Sequence, residues 1–292
     1  MQKLIVTADD FGLSLPLNEA VERAHQHGIL TAASLMTGAP ARDDAVERAR
    51  KLPRLGVGLH LTLVDGCPVL PPTQVPDLVG RDGRFSTDPV KFGTSLFFSK
   101  EMRRQAEAEI VAQFEAFRKT GLVMDHINGH QHFHMHPAIS KIIARMAPEF
   151  GHPPVRIPVE PVLQSYRATS DRFRDRFSSW IFFLAQTRLL RRRAIKAGLA
   201  VNDYVFGLND SGAMVETRVL QFLDRLPSGT SEFYFHPATE RWPGVDNLPD
   251  HYRPVDEFAA LTSLKVKAKV QVLGLKLMPF REAVGRPRKA AS

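Results

Sequence analysis

The 292-residue chain contains one cysteine, Cys67, so no internal disulfide can form and a reducing compartment is the expected setting. It has no apolar run that could span a bilayer. The run at 180–185 is far short of the roughly 20 residues a membrane helix needs. No leader-like segment precedes the strand-like Lys3-Leu4-Ile5-Val6-Thr7-Ala8, which points to the cytoplasm. Neither a Gly-x-Ser-x-Gly elbow nor a phosphate-binding P-loop occurs, which argues against serine-hydrolase and nucleotide-driven chemistry. Low-complexity tracts are absent too, and 43% hydrophobic with 24% charged residues is the composition of an ordinary globular protein.

What the chain has in excess is positive charge. Its 39 Lys and Arg against 31 Asp and Glu give a net charge of +8, which favours an anionic partner. The excess is concentrated in Arg188, Arg191, Arg192, Arg193 and Lys196, directly after the apolar run at 180–185. An apolar helix face beside a basic cluster suits peripheral contact with an anionic membrane, at its inner face, better than nucleic acid. The same pattern also fits a helix that faces its own core and carries a solvated basic end.

Histidine is the other excess. Five of the 11 histidines fall in Asp125-His126-Ile127-Asn128-Gly129-His130-Gln131-His132-Phe133-His134-Met135-His136-Pro137, where a strand ends and a helix begins at Pro137. Imidazole binds divalent metals and moves protons near neutral pH. Two further places carry ionisable groups at strand ends. Asp9-Asp10-Phe11-Gly12 closes the first strand, and a bend at Phe11-Gly12 would aim the two carboxylates at different jobs, one on a metal and one free as a base. The bland reading is that one of them caps the next helix, for which Ser14 competes. His60 lies in the apolar strand 56–63, and His236 follows the strand 231–235 immediately before Pro237.

Strands expected at 3–8, 29–36, 56–63, 123–127, 155–157, 201–206, 231–235 and 269–273 alternate with helices at 16–27, 42–52, 101–119, 137 onward, 170–197, 215–226 and 255–264. That alternation predicts parallel βαβ units, and the count favours an irregular, TIM-like (β/α) barrel of about seven parallel strands over an open sheet. One catalytic domain over 1–284 is expected, with a flexible basic tail at 285–292. Pro68, Pro71, Pro72, Pro76 and Pro89 make 66–98 an irregular insertion that roofs the site. Arg156 could point into the site or away from it.

Aspartate and two histidines on separate strand ends make a metal site with open positions, and a free carboxylate and a further histidine beside it supply a base and an acid. This is equipment for hydrolysing an amide or ester without a covalent intermediate. A metal-dependent phosphoesterase and a non-catalytic sugar- or lipid-binding barrel are the rivals.

The motifs Thr7-Ala8-Asp9-Asp10-Phe11-Gly12, Gly58-Leu59-His60-Leu61-Thr62, His126-Ile127-Asn128-Gly129-His130-Gln131-His132-Phe133-His134 and Phe235-His236-Pro237 resemble, in order, those of the YdjC-like carbohydrate deacetylases. The resemblance implies a (β/α) barrel that removes acetyl groups from N-acetylated amino sugars with one divalent metal; Asp and His ligation suits zinc or magnesium, and manganese or nickel as well. It implies Asp10, His60 and His130 as ligands, Asp9 as base and His236 as acid. His126, His132, His134 and Arg156 then surround the ligands or touch substrate. Asn128-Gly129-His130 departs from the family, which often has aspartate before Ser-His. The stretches 66–72 and 202–212 resemble the hopanoid-biosynthesis-associated branch, whose implied substrate is an N-acetylglucosaminyl hopanoid lipid; the soluble alternative is a chito-oligosaccharide.

Overall fold

The computed structural model of the chain describes residues 2–241 and 249–285. Its elements run β1 (Lys3–Phe11), α1 (Leu15–His27), β2 (Ala32–Leu35), α2 (Arg42–Arg50), β3 (Gly56–Leu61), α3 (Pro89–Phe98), α4 (Lys100–Lys119), β4 (Ile127–Gly129), α5 (Pro137–Met146), α6 (Val162–Thr169) and α7 (Phe173–Lys196). They continue β5 (Tyr204–Phe206), α8 (Glu216–Leu223), β6 (Thr230–Phe235), α9 (Pro254–Thr262), α10 (Leu264–Val272), β7 (Lys276–Leu277) and α11 (Phe280–Val284). The strands pair in parallel in the order β4-β3-β2-β1-β6-β5, with β7 beside the start of β1. Val155 joins the two ends of this path, bridging in parallel to Ile127 of β4 and to Val201 just ahead of β5. The sheet therefore closes into an irregular barrel, as the alternation of elements predicts, but its closing member is a single paired residue rather than the strand expected at 155–157.

The pleat of β1 sorts its side chains. Leu4, Val6 and Ala8 pack outward into the main core beneath the helices, while Ile5, Thr7 and Asp9 alternate with them toward the interior. Ile5 joins Ala32, Phe280 and Ala283 in a small apolar cluster that closes the barrel floor. Above that floor the interior is polar, and it leads to the site at the C-terminal ends of the strands.

Ser14 caps α1 by accepting from the Leu17 N–H, so neither aspartate is spent as its cap. The bend in the first strand comes one residue earlier than the sequence suggests. The β1–β2 register slips between Ala8 and Phe11, and Asp10 takes a left-handed φ of 62° followed by Gly12 at 99°. A bulge of this kind re-aims a side chain, which is how neighbouring aspartates that the pleat would separate both reach the site.

Two further expectations fail. Residues 269–272 belong to the helix α10 and Leu273 closes it: Ser263 caps its start, and Val266 and Val270, four apart, are its buried residues. The alternating Lys and Val of this segment read equally as period 2, but a strand would turn Ala268 and Val272 to the same side as Val266 and Val270, and both are exposed. The insertion at 66–98 is not irregular throughout, since Asp88 caps the helix α3 with Pro89 in its first turn. Buried polar groups of α4 hold the insertion down: Glu109 accepts from the Val69 and Leu70 N–H groups, and Gln105 from that of Asp77. The basic tail beyond Gly285 lies outside the described residues.

On α7 the basic cluster divides. Arg191 donates to the carbonyls of Asn202 and Asp203, and Arg193 donates to the Pro137 carbonyl and Ser140. These two arginines brace the helix against the barrel, leaving Arg188, Arg192 and Lys196 exposed. Among the described residues no helix is long and apolar enough to cross a membrane.

Candidate metal centre and catalytic cavity

A cavity of about 560 Å³ opens at the C-terminal ends of the strands, lined by Asp9, Asp10, His60, Asp65, His130, His132, Phe183, Ser211, Tyr234, His236 and Tyr252 among others. Asp10 stands between two imidazoles: its Oδ1 lies 3.1 Å from His60 Nε2 and 2.9 Å from His130 Nδ1. Ligand atoms from these three residues all lie within 4.8 Å of one another. Burial alone would raise the Asp10 carboxyl, but His130 and His60 hold it well below the ordinary carboxylate range. Burial opposes charge on His130, yet Asp10 prevails and raises its pKa.

One carboxylate and two imidazoles are a donor set suited to a divalent cation. The orientation of His60 fits the same use. Its Nδ1 lies 2.7 Å from Asn128 Oδ1, an acceptor that fixes the proton on Nδ1 and leaves the Nε2 lone pair facing Asp10. Asn128 also donates from Nδ2 to Asp9 Oδ1 at 2.9 Å. An aspartate at 128 would set a second negative charge against Asp9, so asparagine is the residue that serves both neighbours.

Asp9 is ion-paired rather than free. Arg156, fully buried, donates from Nη1 to Asp9 Oδ2 at 2.6 Å and from Nη2 to Oδ1 at 3.0 Å. The other edge of the guanidinium meets Glu232, with Nη2 to Oε1 at 2.5 Å and Nε to Oε2 at 3.0 Å. Thr7 Oγ1 donates to the same Glu232 Oε1. Burial would raise the Asp9 carboxyl, but Arg156, with His60 and His236 adding to it, holds it far below the usual carboxylate range.

The five clustered histidines do five different things. His130 faces Asp10. His132, in a left-handed backbone with φ 59°, lines the cavity with its Nε2 3.4 Å from the Tyr234 hydroxyl. His134 Nε2 donates to the Arg156 carbonyl at 3.0 Å, away from the cavity, and His136 caps α5 by accepting from the Ala138 N–H. His126 lies below the cavity, fully buried beside Ser34.

His236 enters the cavity from the end of β6. Its backbone N–H donates to Glu257 Oε2 at 2.5 Å, and Glu257 Oε1 accepts from the Met214 N–H at 2.8 Å. Burial lowers the His236 pKa despite Asp10 and Asp9 nearby. Tyr252 lies against it with ring centres 5.3 Å apart, and its hydroxyl is 2.8 Å from Ser211 Oγ. Gly212 makes room for that tyrosine, since a Cβ there would come within 2.2 Å of the ring.

Sequence reasoning missed Glu232, Tyr234, Ser211, Tyr252 and Glu257. Two of them carried a signal. The pleat that turns Asp9 and Thr7 inward on β1 also turns Tyr234 and Glu232 inward with His236 on β6. The other three come from loops and from α9, where no local period marks them.

Glu257 supports a pH prediction. Burial pushes its carboxyl up to about 7, even though two backbone N–H groups donate to it. A pKa raised above the ordinary 4.5 means the folded protein holds this proton more tightly. The stability it contributes is therefore full below about 4.5 and is lost as pH rises through about 7. Urea unfolding should show the advantage of wild type over Glu257→Gln shrinking between about pH 5 and about pH 8, by at most about 3 kcal/mol. A constant difference would mean that Glu257 stays ionised throughout.

The YdjC-like protein family matches residues 3–272. The chain belongs to that family. It is 30% identical over 279 residues to a carbohydrate deacetylase of Geobacillus stearothermophilus, covering 95% of this chain and 96% of that protein. Its similarity to a carbohydrate deacetylase of Brevibacillus brevis is 40% identity over 156 residues, which spans 53% of this chain and 59% of the relative. A solved structure from Enterococcus faecalis, described as a candidate cellobiose-phosphate cleavage protein, superposes with a TM-score of 0.74 and 25% identity over 97% of this chain and 99% of its own.

Proposed function

We propose that this YdjC-like protein is a metal-dependent hydrolase that removes the N-acetyl group from an N-acetylated amino sugar. The observation that carries this reading is the set Asp10, His60 and His130 at the mouth of the barrel, with Asp9 and His236 in the same cavity. A divalent ion held by that set would acidify its water and polarise the acetyl carbonyl. Asp9 accepts the proton of the attacking water, held in place by Arg156 and Asn128. A carboxylate this acidic passes a proton on rather than keeping it. His236, in the same cavity, takes up that proton and as the imidazolium delivers it to the departing amine. Carbohydrate deacetylases among the relatives support the substrate class.

The finer reading is a lipid-linked substrate, an N-acetylglucosaminyl hopanoid, met at an anionic membrane. Its support is where the exposed apolar side chains lie. Phe173, Phe177, Ile181 and Phe182 on α7 and Phe97 and Phe98 on α3 are exposed, while Phe183 and Pro89 of the same two helices line the cavity. Exposed aromatic groups leading to a cavity rim, with Arg188, Arg192 and Lys196 further along α7, suit an acidic lipid surface.

Protein loaded with zinc or magnesium should release acetate faster from a lipid-linked N-acetylglucosamine in mixed micelles than from soluble N-acetylated chitobiose. It should also sediment with anionic liposomes at low salt, and Phe177→Ser with Phe182→Ser should weaken that binding. Faster turnover of the soluble sugar with no liposome binding would remove the lipid reading and leave the deacetylase. Release of acetate from neither would remove both.

A further inference from the structure

We propose that Asp125 and His126, on the floor of the barrel, are positioning residues that set the tautomer of the ligand His60 and the pose of Asp9 through Ser34 and Asn128. The proposal rests on the metal-site reading above. Six side chains, fed by two backbone N–H groups, form one hydrogen-bonded line from the floor that forks at Asn128 into the site. The Asp125 carboxylate accepts from the backbone N–H groups of Phe280 and Arg281, each at 3.0 Å, and lies 3.0 Å from His126 Nδ1. His126 Nε2 is 2.9 Å from Ser34 Oγ, and Asn128 Nδ2 donates to that oxygen at 2.8 Å. Asn128 continues to Asp9 and to His60 by the bonds already described.

The chemistry of the end member dictates every proton above it. The Asp125 carboxylate accepts from both backbone N–H groups and presents an acceptor oxygen to His126 as well, so Nδ1 is the donating nitrogen of that ring and Nε2 the accepting one. The Ser34 hydroxyl donates to that lone pair, which frees its oxygen to accept from the Asn128 amide. Both amide hydrogens are then committed, to Ser34 and Asp9, and Oδ1 is left for the His60 Nδ1 proton. His60 Nε2 is thereby deprotonated at the metal position. The reversed tautomer of His126 would make Ser34 accept from it and turn the hydroxyl proton toward the Asn128 amide hydrogens, setting donor against donor and pulling the amide out of its place between Asp9 and His60.

The ring that begins this line is tightly seated. His126 is fully buried and stacks on Phe280 with ring centres 4.3 Å apart and planes at 23°. It crosses β3 at Gly58, where a Cβ would stand 2.5 Å from three atoms of the imidazole. None of this geometry serves the cavity directly, since His126 does not line it.

The test is metal titration of the metal-free protein by calorimetry with zinc, together with the visible spectrum of the cobalt-loaded protein. Asp125→Asn and Ser34→Ala should each weaken zinc binding several-fold, up to the about 10-fold lower end of the range for losing a direct partner of a ligating histidine, here Asn128. Each should also alter the cobalt spectrum. Ser34→Ala leaves the floor contacts of Phe280 and Arg281 untouched, so it decides the matter if Asp125→Asn does not fold. Wild-type affinity and spectrum in folded Ser34→Ala would overturn the proposal. A wild type that binds no metal would overturn the site itself and this proposal with it.

Discussion

Asp9→Asn is expected to lose about 10²–10⁴-fold in kcat, the range for removing a general base, while keeping its metal. The metal is retained because Asp10, His60 and His130 supply the clustered ligand atoms without Asp9. The variant isolates charge better than an alanine would, since it keeps the shape between Arg156 and Asn128. Its amide hydrogens must face Arg156 Nη1 or the donors on Oδ1, so some stability is lost as well, about 1–3 kcal/mol for an unsatisfied buried pair. Steady-state rates, metal analysis and urea unfolding separate the effects. A kcat within a few-fold of wild type would take Asp9 out of the mechanism. Loss of the metal would mean that the two aspartates have exchanged roles.

Much of the site is legible in the sequence because its ionisable groups sit at strand ends. Asp9, Asp10, His60, His130 and His236 each follow or end an apolar strand, and the parallel barrel brings all such ends to one face. The roles of the other histidines were not legible. His126, His134 and His136 look like His130 in sequence, and only depth separates a floor residue, a clamp on the Arg156 carbonyl and a helix cap from a candidate ligand. Arg156 was ambiguous for another reason: its partners are 147 and 76 residues away, and no local pattern encodes such pairing. The fold shows the same limit. Strands with clear apolar runs were legible, whereas closure rests on the lone pairing of Val155, which no periodicity announces. At 264–272 two periods were both present, and tertiary burial chose between them.

Arg156→Met should cost about 3–5 kcal/mol of stability, the penalty for removing one partner from a buried ion pair. The loss follows from what remains. Asp9 and Glu232 are both buried, at 2% and 0% exposure, and both depend on the same guanidinium. Without it Asp9 keeps only the Asn128 amide and its neighbouring histidines, and Glu232 keeps the Thr7 hydroxyl. At least one carboxylate must then take up a proton near neutral pH, because burial favours its neutral form. Lysine is no substitute, since a single ammonium cannot present the flat fork that meets two carboxylates at once. The double variant Arg156→Met, Glu232→Gln removes one of the two stranded charges and should recover a large part of the stability but little of the rate, because Asp9 still lacks its orienting partner. Urea unfolding of the single and double variants at neutral pH checks this. A single variant as stable as wild type would show that Asp9 and Glu232 do not rely on Arg156, and the fixed, charged Asp9 on which the proposed chemistry depends would fall with it.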